Sequence, residues 1–223
     1  MESHGTGYRE QQIRRLRLAS LASLAGLGEK HVPGPSPGFA GEHAVFVFLI
    51  IGEEEPVSRQ ALATKTGLGE GSVRTILRKL RREGLVTADS TGCHLTGSGK
   101  RLFGSVNSKL SSPLVLGKSP LTVGASQTAV LVRGASSLVG NGIEQRDSTV
   151  KLGASGATTY VVKGRRFSIP GGSEDCERDF PDNIWAVLRG KLKPHSKDVI
   201  VVCGAKSQTT ATLGALAAAL TLV

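Results

Sequence analysis

The chain has 223 residues, of which 39% are hydrophobic, and this composition suits a folded protein with room for two modest domains rather than a disordered chain. Its formal net charge of +10 favours contact with polyanions such as nucleic acids, although a globally basic composition alone is weak evidence for such a partner. Cys93, Cys176 and Cys203 lie far apart without a Cys-x-x-Cys pair and the histidines form no i, i+4 pair, which argues against a metal site.

Residues 1–34 are predicted to form a flexible or helical basic N-terminal extension. Its apolar positions at helical spacing are Ile13, Leu16, Leu21 and Leu24. Arg14, Arg15 and Arg17 interrupt the apolar run, so it does not read as a signal peptide. The charge-free run 209–223 is shorter than the ~20 residues of a membrane span, and we expect a cytoplasmic protein.

Residues 35–104 are predicted to form a winged helix-turn-helix domain. The proline-rich string 33–38 cannot be helical and is read as a linker into the first helix. That helix, roughly Glu42 to Ile51, is strongly apolar, as expected for the helix on which two others pack. Its β-branched residues make a strand the alternative interpretation.

Two further helices carry the helix-turn-helix pattern. Ser58 is a plausible N-cap for the first, and Gly67 can end it in the left-handed conformation. At ~100° per residue the second helix divides into an apolar stripe and a cationic face. The apolar stripe comprises Val73, Ile76, Leu77 and Leu80. The basic residues are Arg74, Arg78, Lys79, Arg81 and Arg82, with no acidic residue among them to neutralise the face.

A hairpin is predicted directly after Gly84, which closes the basic helix. Residues 85–87 and 93–96 read as its strands, and residues 89–92 read as the turn. The predicted DNA-binding residues of the helix and this wing are Ser72, Arg74, Thr75, Arg78, Lys79, Arg81, Arg82, Ser90, Thr91 and His94. Arg74, Thr75 and Arg78 are expected at base edges. Phosphate or minor-groove contacts are expected for Arg81, Arg82, Ser90, Thr91 and His94. The alternatives are a solvated charged face, or a winged helix that docks to protein or RNA.

The rise in glycine, serine and proline after Phe103 predicts a linker over residues 105–122 and a second domain over 123–223. Strand patterns there alternate with helical ones, which indicates a small α/β sandwich and an α+β chain overall. The predicted elements are a strand at 128–132, a helix at 142–152, a hairpin at 158–169, a helix at 183–192, a strand at 198–203 and a helix at 209–220.

Four strings carry a family resemblance: GPSPGF, LATKTGLGEGSVRTILRKLRREGLV, LTGSGKRLF and NGIEQRDSTVKLGASGATTYVV. Together they resemble an archaeal family of uncharacterised winged-helix proteins described as predicted transcriptional regulators, over about residues 35–223. The NGIEQRD string is the more family-specific part. The resemblance implies a DNA-binding domain fused to a second domain of unknown role, with no established ligand or catalytic residue.

The second domain holds one candidate ligand site. Glu144, Arg146 and Asp147 fall within one helical turn, and a loop of small residues follows whose amides could cradle an anion. The candidate ligand-binding residues are Glu144, Arg146, Asp147, Gly153, Ser155, Gly156 and Lys206, which follows a strand and precedes the last helix. The alternative reading is that the glycines merely end a helix and make a turn, Arg146 pairs with a neighbour, and Lys206 points into solvent.

No phosphate-loop or dinucleotide fingerprint occurs, so we expect no nucleotide cofactor and no metal. The sequence predicts a transcriptional regulator that binds double-stranded DNA as a homodimer, without enzymatic activity, with a possible small anionic effector. The alternatives are a protein- or RNA-interaction module without specific duplex binding, and an enzyme built on Glu144, Arg146 and Asp147.

Overall fold

The computed structural model describes residues 20–28, 38–119 and 122–223. The chain divides into two compact units, the first ending at Val106 and the second beginning at Asn107. The predictions for residues 1–19 and for the string 33–37 lie outside the described residues. No helix in the described ranges is long and apolar enough to cross a membrane.

The first unit begins earlier in the chain than predicted. Helix α1 (Leu21–Ala25) is followed by a 3₁₀ turn (Gly26–Gly28), and both pack against helix α2 (Gly41–Glu54). Leu21 and Leu24 are buried in this contact. Residues 20–28 are therefore part of the first unit, which corrects the prediction of a separate extension up to residue 34. Because α2 is helical throughout, the strand alternative for its apolar run is wrong.

Helices α3 (Arg59–Thr66) and α4 (Glu70–Arg82) follow the predicted signals closely. Ser58 Oγ accepts a hydrogen bond from the Ala61 amide at 3.1 Å, and Gly67 ends α3 with φ of 69°. The buried residues of α4 are Val73, Ile76, Leu77 and Leu80, which is the apolar stripe predicted from the period. This burial fixes which side of α4 faces solvent.

Strands β1 (Val86–Ala88) and β2 (Cys93–Leu95) form an antiparallel hairpin, and helix α5 (Gly97–Asn107) follows it. The connection between α2 and α3 holds the other side of β2. Val57 and Cys93 exchange backbone hydrogen bonds of 3.2 and 2.8 Å. Glu55 Oε2 accepts from the Leu95 amide at 2.6 Å. The hairpin is thus bonded to the α2–α3 connection as well as within itself.

The second unit is one five-stranded sheet with the order β3-β4-β7-β5-β6, in which every pair is antiparallel. Its strands are β3 (Leu114–Leu116), β4 (Ser126–Val132), β5 (Gly156–Lys163), β6 (Arg166–Ser168) and β7 (Val199–Ala205). Strand β3 lies inside the segment 105–122 that was predicted as a linker, so that prediction is wrong for these residues. The short strand escaped prediction because prolines, glycines and serines surround it.

Helices cover both faces of this sheet. They are α6 (Ile143–Lys151), α7 (Cys176–Asp179), α8 (Ile184–Leu192) and α9 (Gln208–Leu220). Helices α6 and α9 pack on one face, and α8 packs on the other through Trp185. The Trp185 ring lies 5.2 Å from the ring centroids of both Tyr160 and Phe167. The mixed α+β class predicted from the alternating pattern is confirmed.

A buried carboxylate ties the start of β7 to the end of β4. Asp198 is 3% exposed and accepts hydrogen bonds from the Arg133 guanidinium at 2.7 Å, the Gly134 amide at 2.9 Å and the His195 amide at 2.8 Å. Burial alone would raise the pKa of Asp198, but these hydrogen bonds and the charge of Arg133 outweigh it and lower that pKa. The ionised carboxylate is therefore a structural element of the second unit.

Candidate functional site

A cleft of about 840 Å³ opens between α4 and the turn that joins β1 to β2. One side presents five arginines, the other is formed by residues 88–93, and Leu77 contributes an apolar patch. The arginines that line this arginine cleft are Arg59, Arg74, Arg78, Arg81 and Arg82. The predicted basic helix and the predicted wing therefore meet around one concave surface.

The cationic face of α4 follows directly from helical spacing. Arg74, Arg78, Arg81 and Arg82 recur every three or four residues, so they occupy neighbouring positions on the side of α4 opposite its buried stripe. All four are exposed, and none forms an ion pair with any residue that the structure describes. Their charges are thus free to meet an external anion.

Three residues of α4 that were predicted to bind DNA lie outside the arginine cleft. Lys79 donates to the Leu27 carbonyl at 2.5 Å and its ammonium lies 5.4 Å from the Phe39 ring centroid, so it holds the N-terminal segment of the unit. The Thr75 hydroxyl donates to the Gly71 carbonyl at 3.0 Å. Ser72 is half-buried beside Gly38. Lys79 is therefore engaged by Leu27 and Phe39, and its predicted contact with DNA stays a prediction.

The wing side of the cleft carries a negative charge rather than a positive one. Ser90 and Thr91 line the cleft as predicted, together with Asp89. The Thr91 hydroxyl and amide donate to Asp89 Oδ1 at 2.6 and 2.8 Å and lower the pKa of Asp89 to about 2. His94 is half-buried, with Nε2 2.9 Å from Thr91 Oγ1, and belongs to this turn network rather than to the open cleft.

The sequence predictions missed Arg59, which lines the cleft, and its ion-pair partner Glu70. Arg59, the first residue of α3, lies with Nε 3.3 Å from Oε2 of Glu70, the first residue of α4. Both side chains are about half exposed. The spacing of Glu70 four residues before Arg74 was visible in the sequence, whereas the approach of Arg59 depends on how α3 packs against α4. Five arginines and the Asp89 carboxylate therefore line the cleft, and Glu70 pairs with one of these arginines.

The charged residues of α6 are exposed, and two of them pair with each other. Glu144, Arg146 and Asp147 are exposed, and Arg146 lies 3.3 Å from its neighbour Asp147. The residue between them, Gln145, is buried and donates to Thr221 Oγ1 at 2.7 Å. Within the NGIEQRD string, Gln145 therefore bonds α6 to the C-terminal end of the chain, and the charged residues on either side of it are exposed.

Three backbone amides of the loop after α6 are bonded within the protein. The amides of Gly153, Ala154 and Ser155 donate to backbone carbonyls at 2.9, 3.2 and 2.8 Å. The acceptors are the carbonyls of Val150, Thr149 and Gly204. Gly156 lies opposite Gly204 in the sheet. These three amides are therefore occupied, which weighs against a backbone anion cradle, and anion binding by Gly153, Ser155 and Gly156 stays a prediction.

The sheet topology does not support the argument that placed Lys206 at a ligand site. Ligands collect at the carboxyl ends of strands in open sheets of parallel strands. Strand β7 is antiparallel to both of its neighbours, so its carboxyl end does not share an edge with theirs. Lys206 is exposed, and Ser207 caps α9 by accepting from the Thr210 amide at 3.2 Å.

Residues 123–222 match the model of a domain of unknown function, DUF4443, and residues 42–101 match the PH0730-like N-terminal domain. Among solved structures, the chain is similar to the hypothetical protein PH0730 from Pyrococcus horikoshii OT3. The identity is 26% and the TM-score 0.66, over 82% of this chain and 92% of that chain. No curated protein matches the chain. These matches support the resemblance to an uncharacterised archaeal family, and their descriptions name no activity, ligand or partner.

Proposed function

We propose that the first unit is a winged helix-turn-helix that binds duplex DNA, and that the protein is a transcriptional regulator. Helices α3 and α4 supply the helix-turn-helix, and the β1–β2 hairpin supplies the wing. The observation that carries the proposal is the row of four exposed arginines on α4, none of which has an ion-pair partner within the described ranges. No ion pair within the described ranges uses these arginines to hold the unit together.

The dimensions of the arginine row suit a DNA groove. An α-helix with its side chains is about 10–12 Å in diameter, and the row from Arg74 to Arg81 runs roughly 10 Å along α4. The major groove is about 12 Å wide and admits one α-helix. Arginine is well suited to this surface because its guanidinium binds phosphate or the O6 and N7 atoms of guanine with two hydrogen bonds.

The position of each arginine along α4 suggests its role. The N-terminal part of a recognition helix contacts base edges, which favours base contacts for Arg74 and Arg78. Arg81 and Arg82 belong to the last turn of α4 and are placed for phosphates. Because Asp89 faces the same cleft from the wing, the phosphate backbone would lie nearer to α4 than to the tip of the hairpin.

The second unit has no assigned ligand in this proposal. A single winged helix reads only a few base pairs, so we propose a homodimer that binds two half-sites. We propose no catalytic step for the second unit; the charged residues Glu144, Arg146 and Asp147 of α6 are exposed. The amides of residues 153–155 are bonded to backbone carbonyls, so we propose no effector for that loop.

The experiment is fluorescence anisotropy of the whole protein with labelled duplex DNA over a salt series. Arg78→Ala should weaken binding to the preferred duplex by roughly 1–3 kcal/mol if Arg78 contacts a base. The matched control is Arg101→Ala, which removes the same charge from α5 of the same unit, where Arg101 bonds to Ser98 outside the cleft. The control should bind as the unchanged protein does.

The outcomes separate three cases. Selective loss on the preferred duplex makes Arg78 a base contact, and equal loss on all duplexes makes it a phosphate contact. Absence of salt-dependent binding to any duplex would overturn the proposal and favour a protein- or RNA-docking module instead.

A further inference from the structure

We propose that Glu70 reads a cytosine in the major groove by accepting a hydrogen bond from its N4 amino group, and that Arg59 positions the Glu70 carboxylate for this contact. The inference rests on the proposed binding of duplex DNA and adds a specificity residue to it. It predicts a C·G base pair at one defined place in the preferred sequence.

Glu70 lies on the same face of α4 as the arginines. At ~100° per residue, residues 70, 74 and 81 fall within a narrow stripe, because four and seven residues are close to one and two turns. Glu70 is also the first residue of α4. A recognition helix brings the residues of its N-terminal part to the base edges, so Glu70 is placed ahead of Arg74 on the surface that would enter the groove.

The surroundings of Glu70 leave room for a base pair. Gly69 and Gly71 flank it, and a β-carbon built on either glycine meets no atom within 4 Å. The Glu70 side chain is 54% exposed. A side chain with small neighbours on an otherwise open turn can approach the floor of a groove that bulkier neighbours would hold off.

Charge explains why a carboxylate on this face points to a base rather than to the backbone. Phosphates repel an ionised carboxylate, whereas the cytosine N4 amino group is a donor for which Glu and Asp are the usual acceptors. In the free protein the Glu70 carboxylate forms an ion pair with Arg59, whose Nε lies 3.3 Å from Glu70 Oε2. When DNA binds, the cytosine amino group can replace Arg59 as the partner of Glu70, and a nearby phosphate can replace Glu70 as the partner of Arg59.

The choice of Arg59 as the partner also leaves Arg74 available. Glu70 and Arg74 are four residues apart, a spacing at which Glu and Arg commonly pair along a helix. Instead Glu70 pairs across to α3, and Arg74 forms no ion pair within the part of the chain that the structure describes. Arg74 can then bind guanine while Glu70 binds cytosine at a neighbouring base pair.

The test is selection of preferred duplexes from a random pool by the whole protein, followed by anisotropy on single-base variants of the winner. The variants are Glu70→Gln and Glu70→Ala, with Glu54→Gln as the matched control. Glu54 forms a comparable pair with Lys65 at 2.8 Å between α2 and α3, outside the arginine cleft. Thermal unfolding of each variant confirms that it is folded.

The expected result is a loss of preference for C·G at one position, by about tenfold, in both Glu70 variants, with binding to unrelated duplex unchanged or tighter. Glu54→Gln should keep the full preference. Arg59→Ala should broaden the preference at the same base pair, and Arg59→Lys should restore it in part. A purely structural ion pair would not change the preference at one base position alone.

Several results would overturn the inference. An unchanged base preference in Glu70→Gln, or an equal change at every position, removes Glu70 as a reading residue. If Arg78→Ala weakens binding while the Glu70 variants do not alter preference, DNA binding stands and only the inference fails. If the unchanged protein binds no duplex, both fail together.

Discussion

The arginine cleft and the α6 surface both expose charged side chains beside glycines, yet they differ in what those groups are bonded to. In the cleft, four arginines of α4 have no ion-pair partner among the described residues, and they face a concave surface. Around α6, Arg146 lies against Asp147 and the amides of the following loop are bonded within the backbone. Exposure of charge is therefore common to both regions, and only the cleft leaves several like charges directed at one space.

The largest test of this difference is charge removal from each region. The double variant Arg74→Ala with Arg78→Ala should lose roughly a hundredfold or more in affinity for the preferred duplex, since each base-contacting arginine contributes about 1–3 kcal/mol. A parallel double variant, Arg146→Ala with Lys151→Ala, removes two positive charges from α6 and should bind normally. Anisotropy at one fixed salt concentration measures both, and comparable losses in the two variants would erase the distinction.

The second test asks what a charge inside the second unit does. Asp198→Asn should lower the free energy of unfolding by about 1–3 kcal/mol, because it removes the charge-assisted hydrogen bonds of buried Asp198, whose ion-pair partner Arg133 is partly exposed and screened by solvent. DNA binding should be unaffected while the protein is folded. Urea unfolding at pH 7 measures the change in stability.

The lowered pKa of Asp198 also predicts how its contribution to stability changes with pH. The native pKa of Asp198 lies below its ordinary value of 3.8, so the contribution of Asp198 is complete above that value and is lost as the pH falls through the native pKa. As the pH falls below 5, the free energy of unfolding of the unchanged protein should therefore fall more steeply than that of Asp198→Asn. Identical acid sensitivity of both proteins would show that the carboxylate is not stabilising.

The smallest expected effect concerns the negative charge in the cleft. Asp89→Asn should tighten duplex binding by about two- to fivefold, the size expected for one exposed charge interaction. Asparagine can still accept the turn hydrogen bonds from Thr91, so the hairpin should keep its shape. Since the pKa of Asp89 is about 2, the effect should not vary between pH 6 and 8. Weaker binding by the variant would mean that the carboxylate contacts DNA favourably.

Period and turn chemistry were enough to predict most of the first unit. The buried stripe of α4 and the left-handed Gly67 are local properties, set by residues within a few positions of each other. The same holds for Ser58 as an N-cap. Local rules therefore located the arginine face and the hairpin that borders it.

The features that escaped prediction depend on residues distant in sequence. Lys79 is diverted by Leu27, 52 residues earlier, and Arg59 meets Glu70 only because α3 packs on α4. The loop amides are occupied partly by Gly204, far along the chain. Periodicity shows which side of a helix or strand faces away from the core. It does not show which residues from distant parts of the chain will contact that side.

The connection between α2 and α3 fixes the hairpin before any partner arrives. Strand β2 is bonded to β1 on one edge and to Val57 on the other, and Glu55 accepts from Leu95 while pairing with Lys100 at 2.9 Å. With β2 bonded on both edges, the hairpin has little conformational entropy left to lose if it binds DNA as proposed, so more of the contact energy would be kept as affinity.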